Sequence, residues 1–125
     1  MAKKKTILLV EDDEFLAELY ATKLNLEGFE VALATDGEKG LKLIKEKQPD
    51  LILLDIILPK MDGFEILKKI KTDKSLKDIP VILLTNLSQK DEVQKGLDLG
   101  ATDYLIKAHF MPSEVVKKIK QTIGG

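Results

Sequence analysis

Short apolar runs alternate with helical segments along the whole chain. The runs are rich in leucine and β-branched residues on both faces, as parallel strands between helices require. They lie at 6–10, 30–34, 51–55, 80–85 and 103–107. Helical spacing of apolar residues is found near 14–26, 37–47, 63–71, 88–99 and 112–122. Five successive βα units predict an α/β fold with a doubly wound, five-stranded parallel sheet, since a closed barrel would need eight.

Residues that start and stop helices stand at the borders of these segments. Asp36 and Asp62 are suited to helix N-caps, and Ser88 with Asp91 resembles a capping box. Glycines that end helices and prolines that precede strands are Gly28, Gly100, Pro49 and Pro80. No linker or low-complexity segment interrupts the pattern, so residues 1–125 are predicted to form one domain.

The composition excludes several kinds of site and partner. With 44% hydrophobic and 33% charged residues, the chain has the composition of a soluble globular protein. All 20 basic residues are lysine, the net charge is −1, and cysteine is absent. These counts exclude disulfides and thiolate metal sites, and they predict no direct contact with nucleic acid or membrane. Because no apolar run is long enough for a signal peptide or membrane span, we expect a cytoplasmic protein.

Four of the five runs end on residues that can handle a phosphoryl group. The first is followed by Glu11 and Asp12, and the others end on Asp55, Thr85 and Lys107. Ligands of an open parallel sheet bind outside the carboxyl ends of the strands, so these side chains should gather at one rim. Clustered carboxylates repel one another, and a divalent cation such as Mg²⁺ is the usual remedy. The rim is therefore a candidate magnesium and phosphate site.

Asp55 carries the most specific chemistry. A carboxylate that follows a buried apolar strand needs partners, and aspartate can act as a nucleophile that forms an acyl phosphate. Lys107 would add a positive charge and Thr85 a hydroxyl donor. Each residue also has a purely structural interpretation, as part of a solvated helix start, a strand-end lysine or a helix cap. Their occurrence together at four strand ends favours the functional interpretation.

The motifs that contain these residues resemble the receiver domain of bacterial response regulators. They are LLVEDD at 8–13, LDIILPKMDG at 54–63, LT at 84–85 and GATDYLIK at 100–107. The resemblance covers essentially the whole chain and implies the flavodoxin-like strand order 2-1-3-4-5. It implies that Asp55 is the phosphoacceptor and Lys107 the phosphate-binding lysine.

The same resemblance implies roles for the remaining rim residues. Asp12 would bind Mg²⁺ directly, Glu11 would act through water, and Ile57 would offer its backbone carbonyl, with Mn²⁺ able to substitute for Mg²⁺. Thr85 and Tyr104 would form the switch pair. Two departures are Asn86 after the threonine and Ala108 in place of proline after the lysine, which puts the isomer of that peptide bond in question.

The leading hypothesis is a phosphoacceptor in a two-component phosphorelay, which assists its own phosphorylation and dephosphorylation but is not an enzyme for other substrates. A histidine kinase or phosphotransfer protein would be the donor, and Phe15 and Leu19 would help to dock the kinase helices beside the rim. A homodimer through the fourth helix, fifth strand and fifth helix is a further expectation. The alternatives are a degenerate receiver that serves as a protein-binding scaffold and a magnesium-dependent phosphatase, although the chain has no substrate-covering insertion. The sequence leaves the output and the cognate kinase open.

Overall fold

The computed structural model describes residues 4–58, 60–85, 90–107 and 112–124. Its strands and helices follow one another in the predicted alternating order. The strands are β1 (Thr6–Val10), β2 (Glu30–Ala34), β3 (Leu51–Asp55), β4 (Val81–Thr85) and β5 (Asp103–Ile106). The helices are α1 (Glu14–Leu26), α2 (Gly37–Lys47), α3 (Gly63–Thr72), α4 (Lys90–Asp98) and α5 (Pro112–Ile123). The predicted cap of α4, Ser88, lies outside the described residues.

The five strands form one parallel sheet in the order β2-β1-β3-β4-β5, which confirms the predicted fold. β1 pairs with β2 on one side and with β3 on the other, so that Leu8 faces both Ala32 and Ile52. The chain therefore winds outward from β1 in two directions. Ligands of such sheets bind at this reversal point, outside the carboxyl ends of the strands.

The sheet separates two hydrophobic cores because successive side chains of a strand point to opposite faces. Ile7 and Leu9 pack with α1 and α5 on one side. Leu8 and Val10 pack on the other side against residues of α2 and α3. Adjacent residues of β1 thus belong to different cores.

The prediction that both faces of every strand are buried is confirmed for the interior strands of the sheet and wrong for the edge strand β2. All five residues of β3 and of β4 are buried. On β2, Glu30 is exposed and Leu33 is 38% exposed. An edge strand has a neighbour on one side only, and the helices next to it do not cover its outer residues.

Aspartate side chains begin three of the helices. Asp13, Asp36 and Asp62 each accept a hydrogen bond from the backbone N–H three residues later, at 3.1, 2.9 and 3.0 Å. The caps predicted at Asp36 and Asp62 are confirmed. The predicted stops at Gly28 and Gly100 are confirmed as well, because these residues have φ angles of +93° and +111°, which side chains disfavour.

The helices are short compared with the thickness of a bilayer. A membrane-spanning helix needs about 20 apolar residues, whereas the longest helix described here, α1, has 13. None of the described helices has the length and apolarity to cross a membrane. The cytoplasmic location stays a prediction.

Candidate functional site

The carboxyl ends of the strands bring the predicted residues to one rim. Asp55 is the last residue of β3 and pairs in register with Leu84. Thr85 is the last residue of β4, and Glu11 and Asp12 directly follow β1. Glu11 is 0%, Thr85 1% and Asp55 5% exposed, while Asp12 is open to solvent. The site is thus a buried floor with one acidic side chain at its surface.

Three carboxylates form a cluster with the spacing of a metal site. One oxygen from each of Glu11, Asp12 and Asp55 lies within 4.8 Å of the others. Oxygens at this spacing can share a hard divalent cation such as Mg²⁺. The donor set therefore fits the metal that the sequence predicts.

Lys107 joins this cluster from the end of β5. Its Nζ lies 2.7 Å from Oδ2 of Asp55 and 2.7 Å from Oε1 of Glu11. Burial alone would lower the pKa of Lys107, but the interactions with Asp55 and Glu11 outweigh it, and the pKa is raised. The lysine is therefore held in its charged form between two acids.

Glu11 is the least satisfied member of the cluster. Its Oε2 accepts a 3.2 Å hydrogen bond from the backbone N–H of Asp13. Its Oε1 is buried and has no hydrogen-bond partner among the described residues, although Nζ of Lys107 lies 2.7 Å away as an ion pair. Burial first, and the nearby carboxyl of Asp55 second, raise the pKa of Glu11 from 4.5 to about 7. A buried carboxylate oxygen without a directed donor is a ready ligand for a cation.

The turn between β3 and α3 orients Asp55. The backbone N–H of Ile57 donates to Oδ1 of Asp55 at 3.2 Å. The N–H of Gly63, at the start of α3, donates to the carbonyl of Ile56 at 2.8 Å. A Cβ at Gly63 would lie 2.5 Å from the carbonyl oxygen of Asp55, so only glycine fits here. α3 therefore packs directly on the backbone that carries Asp55.

β4 and β5 place the two predicted switch residues differently. The carbonyl of Thr85 accepts a 2.8 Å hydrogen bond from the N–H of Lys107, which ties the two strand ends together. Tyr104 points outward from β5 and is 38% exposed. The two side chains thus occupy a buried and a surface position.

Two residues named from the sequence, Asn86 and Ala108, lie outside the described residues. The isomer of the bond between Lys107 and Ala108 stays open for the same reason. The sequence placed Glu11 at the metal but missed its direct contact with Lys107. The contact follows from parallel pairing that brings β1 and β5 to one rim although 96 positions separate the two residues (107 minus 11).

Apolar side chains left exposed on α1 and in the β3–α3 turn stand near this rim. On α1, Phe15 is 76% and Leu19 42% exposed, while Ala17 and Tyr20 face the core. Ile57 is 58% exposed. These exposed apolar side chains are candidates for contact with a partner protein.

The response regulator receiver domain family matches residues 7–120 of this chain. The chain is 40% identical over 114 residues to the DNA-binding dual master transcriptional regulator RpaA of Synechocystis, and it covers 47% of that protein. It is 40% identical over 116 residues to the alkaline phosphatase synthesis transcriptional regulatory protein PhoP of Bacillus subtilis, again covering 47%. These matches span 91% and 93% of the present chain, which is about half the length of these relatives.

The prediction of no direct contact with nucleic acid is wrong in the light of these relatives, since regulators named for DNA binding and transcription are among them. It was drawn from the net charge and the lack of arginine. Those properties belong to these 125 residues, which span about half the length of the relatives named for DNA binding and transcription. The homodimer stays untested.

The structural similarity extends over the whole receiver. The receiver domain of the sensor histidine kinase PA1611 from Pseudomonas aeruginosa superimposes with a TM-score of 0.87 at 28% identity. The match covers 98% of this chain and all of that domain, whose crystal structure has a magnesium ion coordinated in the active-site cleft. In sequence, strand order and acidic rim alike, the chain belongs to the receiver domains of two-component response regulators.

Proposed function

We propose that this chain accepts a phosphoryl group on Asp55 from the phosphohistidine of a histidine kinase or phosphotransfer protein. The observation that carries the proposal is the position of Lys107, whose Nζ lies 2.7 Å from the Asp55 carboxylate in a largely buried site. A cation held there stabilises negative charge more strongly than it would in water.

The residues of the rim divide the work of transfer. A carboxylate oxygen of Asp55 attacks phosphorus in line, the bond from phosphorus to the donor histidine nitrogen breaks, and an acyl phosphate forms. The N–H of Ile57 holds the other carboxylate oxygen in place. Lys107 then moves its charge from the carboxylate to the phosphoryl oxygens, which carry the larger negative charge.

The acidic cluster supports a role for Mg²⁺. Carboxylates of Glu11, Asp12 and Asp55 and the backbone carbonyl of Ile57 would hold the ion, and Mn²⁺ would substitute because it also prefers oxygen ligands. When bound, the ion supplies positive charge to the transferring phosphoryl group. Among the described residues, Lys107 is the one cation paired with the two buried acids Glu11 and Asp55.

Incubation with Mg²⁺ and acetyl phosphate, followed by intact mass spectrometry, tests the phosphoacceptor. We expect one added phosphoryl group in the parent chain and none in Asp55→Asn. Asp13→Asn is the matched control, because Asp13 stands beside the rim and asparagine also caps helices. Absence of labelling in the parent would favour the degenerate scaffold instead.

Metal binding has a separate test. Asp12→Asn should weaken Mg²⁺ binding in a fluorescence or NMR titration, whereas Asp13→Asn should leave it unchanged. An unchanged titration in Asp12→Asn would remove Asp12 from the ligand set.

Phosphorylation would also move the switch pair. We propose that the Thr85 hydroxyl turns toward the phosphoryl group and that the Tyr104 ring follows into the space this leaves. The outward position of Tyr104 is the starting state that such a shift requires. Tyrosine ring NMR signals with and without beryllofluoride would show whether Tyr104 becomes buried.

Phe15 and Leu19 are suited to dock the phosphodonor because they are exposed on the helix next to the rim. Phe15→Ala should slow transfer from a kinase and leave labelling by acetyl phosphate intact. Leu26→Ala is the control, since Leu26 is 77% exposed at the opposite end of α1. Equal slowing in both variants would contradict the docking role.

The lifetime of the acyl phosphate depends on groups that orient water. Ile57 stands exposed two residues after Asp55, and its side chain has no hydrogen-bonding group. We therefore propose slow self-dephosphorylation, and the apolar Leu87, two residues after Thr85 in the sequence, supports this for the same reason. Ile57→Asn should shorten the lifetime, and a parent that loses phosphate as fast as this variant would contradict the argument.

The output of the switch would be transcription. This follows the names of the relatives, which include a DNA-binding regulator that the chain covers to 47%. A gel-shift assay of the native gene product on genomic fragments, with and without acetyl phosphate, tests this proposal. Phosphorylation should change the affinity for DNA.

A further inference from the structure

A small cavity lies between the β3–α3 turn and α4, outside the acidic cluster. Its volume is about 220 Å³. Its walls are the apolar side chains of the turn and of α3, together with two acids: Ile56, Ile57, Leu58, Asp62, Phe64 and Glu92. Sites for small molecules usually have volumes of roughly 300–1,000 Å³. A cavity of this size is better suited to a single side chain than to a metabolite.

Glu92, in the wall of the cavity, has a carboxylate oxygen without a hydrogen-bond partner. Its Oε2 is buried and has no hydrogen-bond partner. Within the part of the chain that the structure describes, the comparable oxygen is that of Glu11, which has Lys107 at 2.7 Å. The nearby Lys95 lies over the ring of Phe64, 4.6 Å from its centre, instead of pairing with Glu92. A buried acceptor left unsatisfied destabilises the folded protein, and a donor from a partner would relieve that cost.

We propose that this cavity binds the guanidinium side chain of an arginine on a partner protein. Ile56, Leu58 and Phe64 would line the aliphatic stem, and Glu92 with Asp62 would meet the charge. A guanidinium presents paired N–H donors that match a carboxylate, and it packs on aromatic rings. All 20 basic residues among these 125 are lysine, so the same residues of a second copy cannot supply the arginine.

One wall of the cavity is the β3–α3 turn, which also contacts the proposed phosphoacceptor Asp55. The N–H of Ile57 donates to the Asp55 carboxylate, and the carbonyl of Ile56 accepts from Gly63. A bound arginine would contact the turn that orients Asp55. The cavity lies between α3 and α4, whereas Phe15 and Leu19 are on α1, so the partner need not be the phosphodonor.

N-acetyl-arginine amide is the probe, followed through backbone NMR shifts of the 125-residue chain. We expect saturable shifts at Leu58, Phe64 and Glu92. The citrulline analogue has the same shape without the charge, and it should give no saturable shift at these amides. The lysine analogue should bind more weakly than arginine because it lacks the planar pair of donors. Equal binding of the arginine and citrulline analogues would overturn the proposal.

Two variants on neighbouring positions of α4 complete the test. Glu92→Gln should weaken binding of the arginine probe about tenfold, as expected for the loss of a charged hydrogen bond. Asp91→Asn removes the same charge from the same helical turn but does not line the cavity, and it should bind as the parent does. Circular dichroism confirms that both variants are folded. Equal affinity of the two variants would show that the shifts come from general charge attraction, and would refute the site.

Discussion

Gly63→Ala is the substitution whose effect the geometry defines most closely. The added Cβ would lie 2.5 Å from the carbonyl oxygen of Asp55 and 2.8 Å from Cα of Ile56. Both are backbone atoms, which cannot rotate away as the end of a side chain could. Either α3 moves off the end of β3, or the β3–α3 turn shifts.

Opposing effects set the size of the loss. Alanine in place of glycine favours the helix and restricts the unfolded chain, by about 0.4–1 kcal/mol. Overpacking costs typically 1–3 kcal/mol and more where the neighbours are rigid. Because both clashing groups are backbone, we place the overlap at the upper end of that range and expect a net loss of about 2 kcal/mol.

Urea denaturation and acetyl phosphate labelling measure the two consequences. The midpoint should fall with an unchanged m-value, and labelling should slow because the N–H of Ile57 no longer meets Asp55 correctly. Gly28→Ala is the control, since its Cβ would meet nothing within 4 Å and only the left-handed backbone at φ +93° is strained. That variant should lose stability without slower labelling. A Gly63→Ala protein as stable as the parent, labelled at the parental rate, would refute the reasoning.

Three further predictions concern stability. Asp36→Ala should lower the free energy of unfolding by about 1 kcal/mol through loss of the α2 cap, with Asp36→Asn near parental in urea denaturation. Leu53→Ala, at a fully buried position of β3, should cost about 2–5 kcal/mol, whereas Leu33→Ala on the exposed edge should cost far less. The pKa of Glu11 is 4.5 in the unfolded chain and about 7 in the folded protein, so between these pH values the folded protein binds more protons at Glu11. With divalent cations removed by a chelator, the free energy of unfolding should therefore fall as the pH rises through this window. Glu11→Gln should flatten that slope in urea titrations at several pH values, and a parent whose stability rises across the window would contradict it.

The order of strands and helices was predictable because the hydrophobic pattern is strong and the residues that start and end helices act on near neighbours in the sequence. β1, β3 and β4 each contain four consecutive apolar residues, as expected for strands of a sheet covered on both sides. Caps such as Asp62 depend on a hydrogen bond to a residue three positions away, and this is visible in the sequence. The exposure of Glu30 and Leu33, which lie on opposite faces of β2, was missed because the other residues of this strand are apolar like those of a buried strand.

For residues far apart in the sequence, the general region where they meet was predictable, but their individual contacts were not. The rim at the carboxyl strand ends follows from parallel pairing, but the equal 2.7 Å distances from Lys107 to Glu11 and Asp55 do not. Nor does a sequence show that Glu92 buries an oxygen without a partner, since that depends on how α4 packs against the β3–α3 turn. The requirement for glycine at position 63 likewise depends on the approach of two backbone segments.

The division of β1 between two cores allows the two sides of the protein to change separately. Leu8 and Leu9 are neighbours in the chain, yet a substitution at one alters packing toward α2 and α3, and at the other toward α1 and α5. Surface changes on one side can therefore be accommodated by core changes on that side alone. Selection can remodel the face that contains α1, where we propose that the donor docks, and leave the opposite face unaltered. Paralogous receivers in one cell could diverge in this way without cross-talk and without losing the rim that they share.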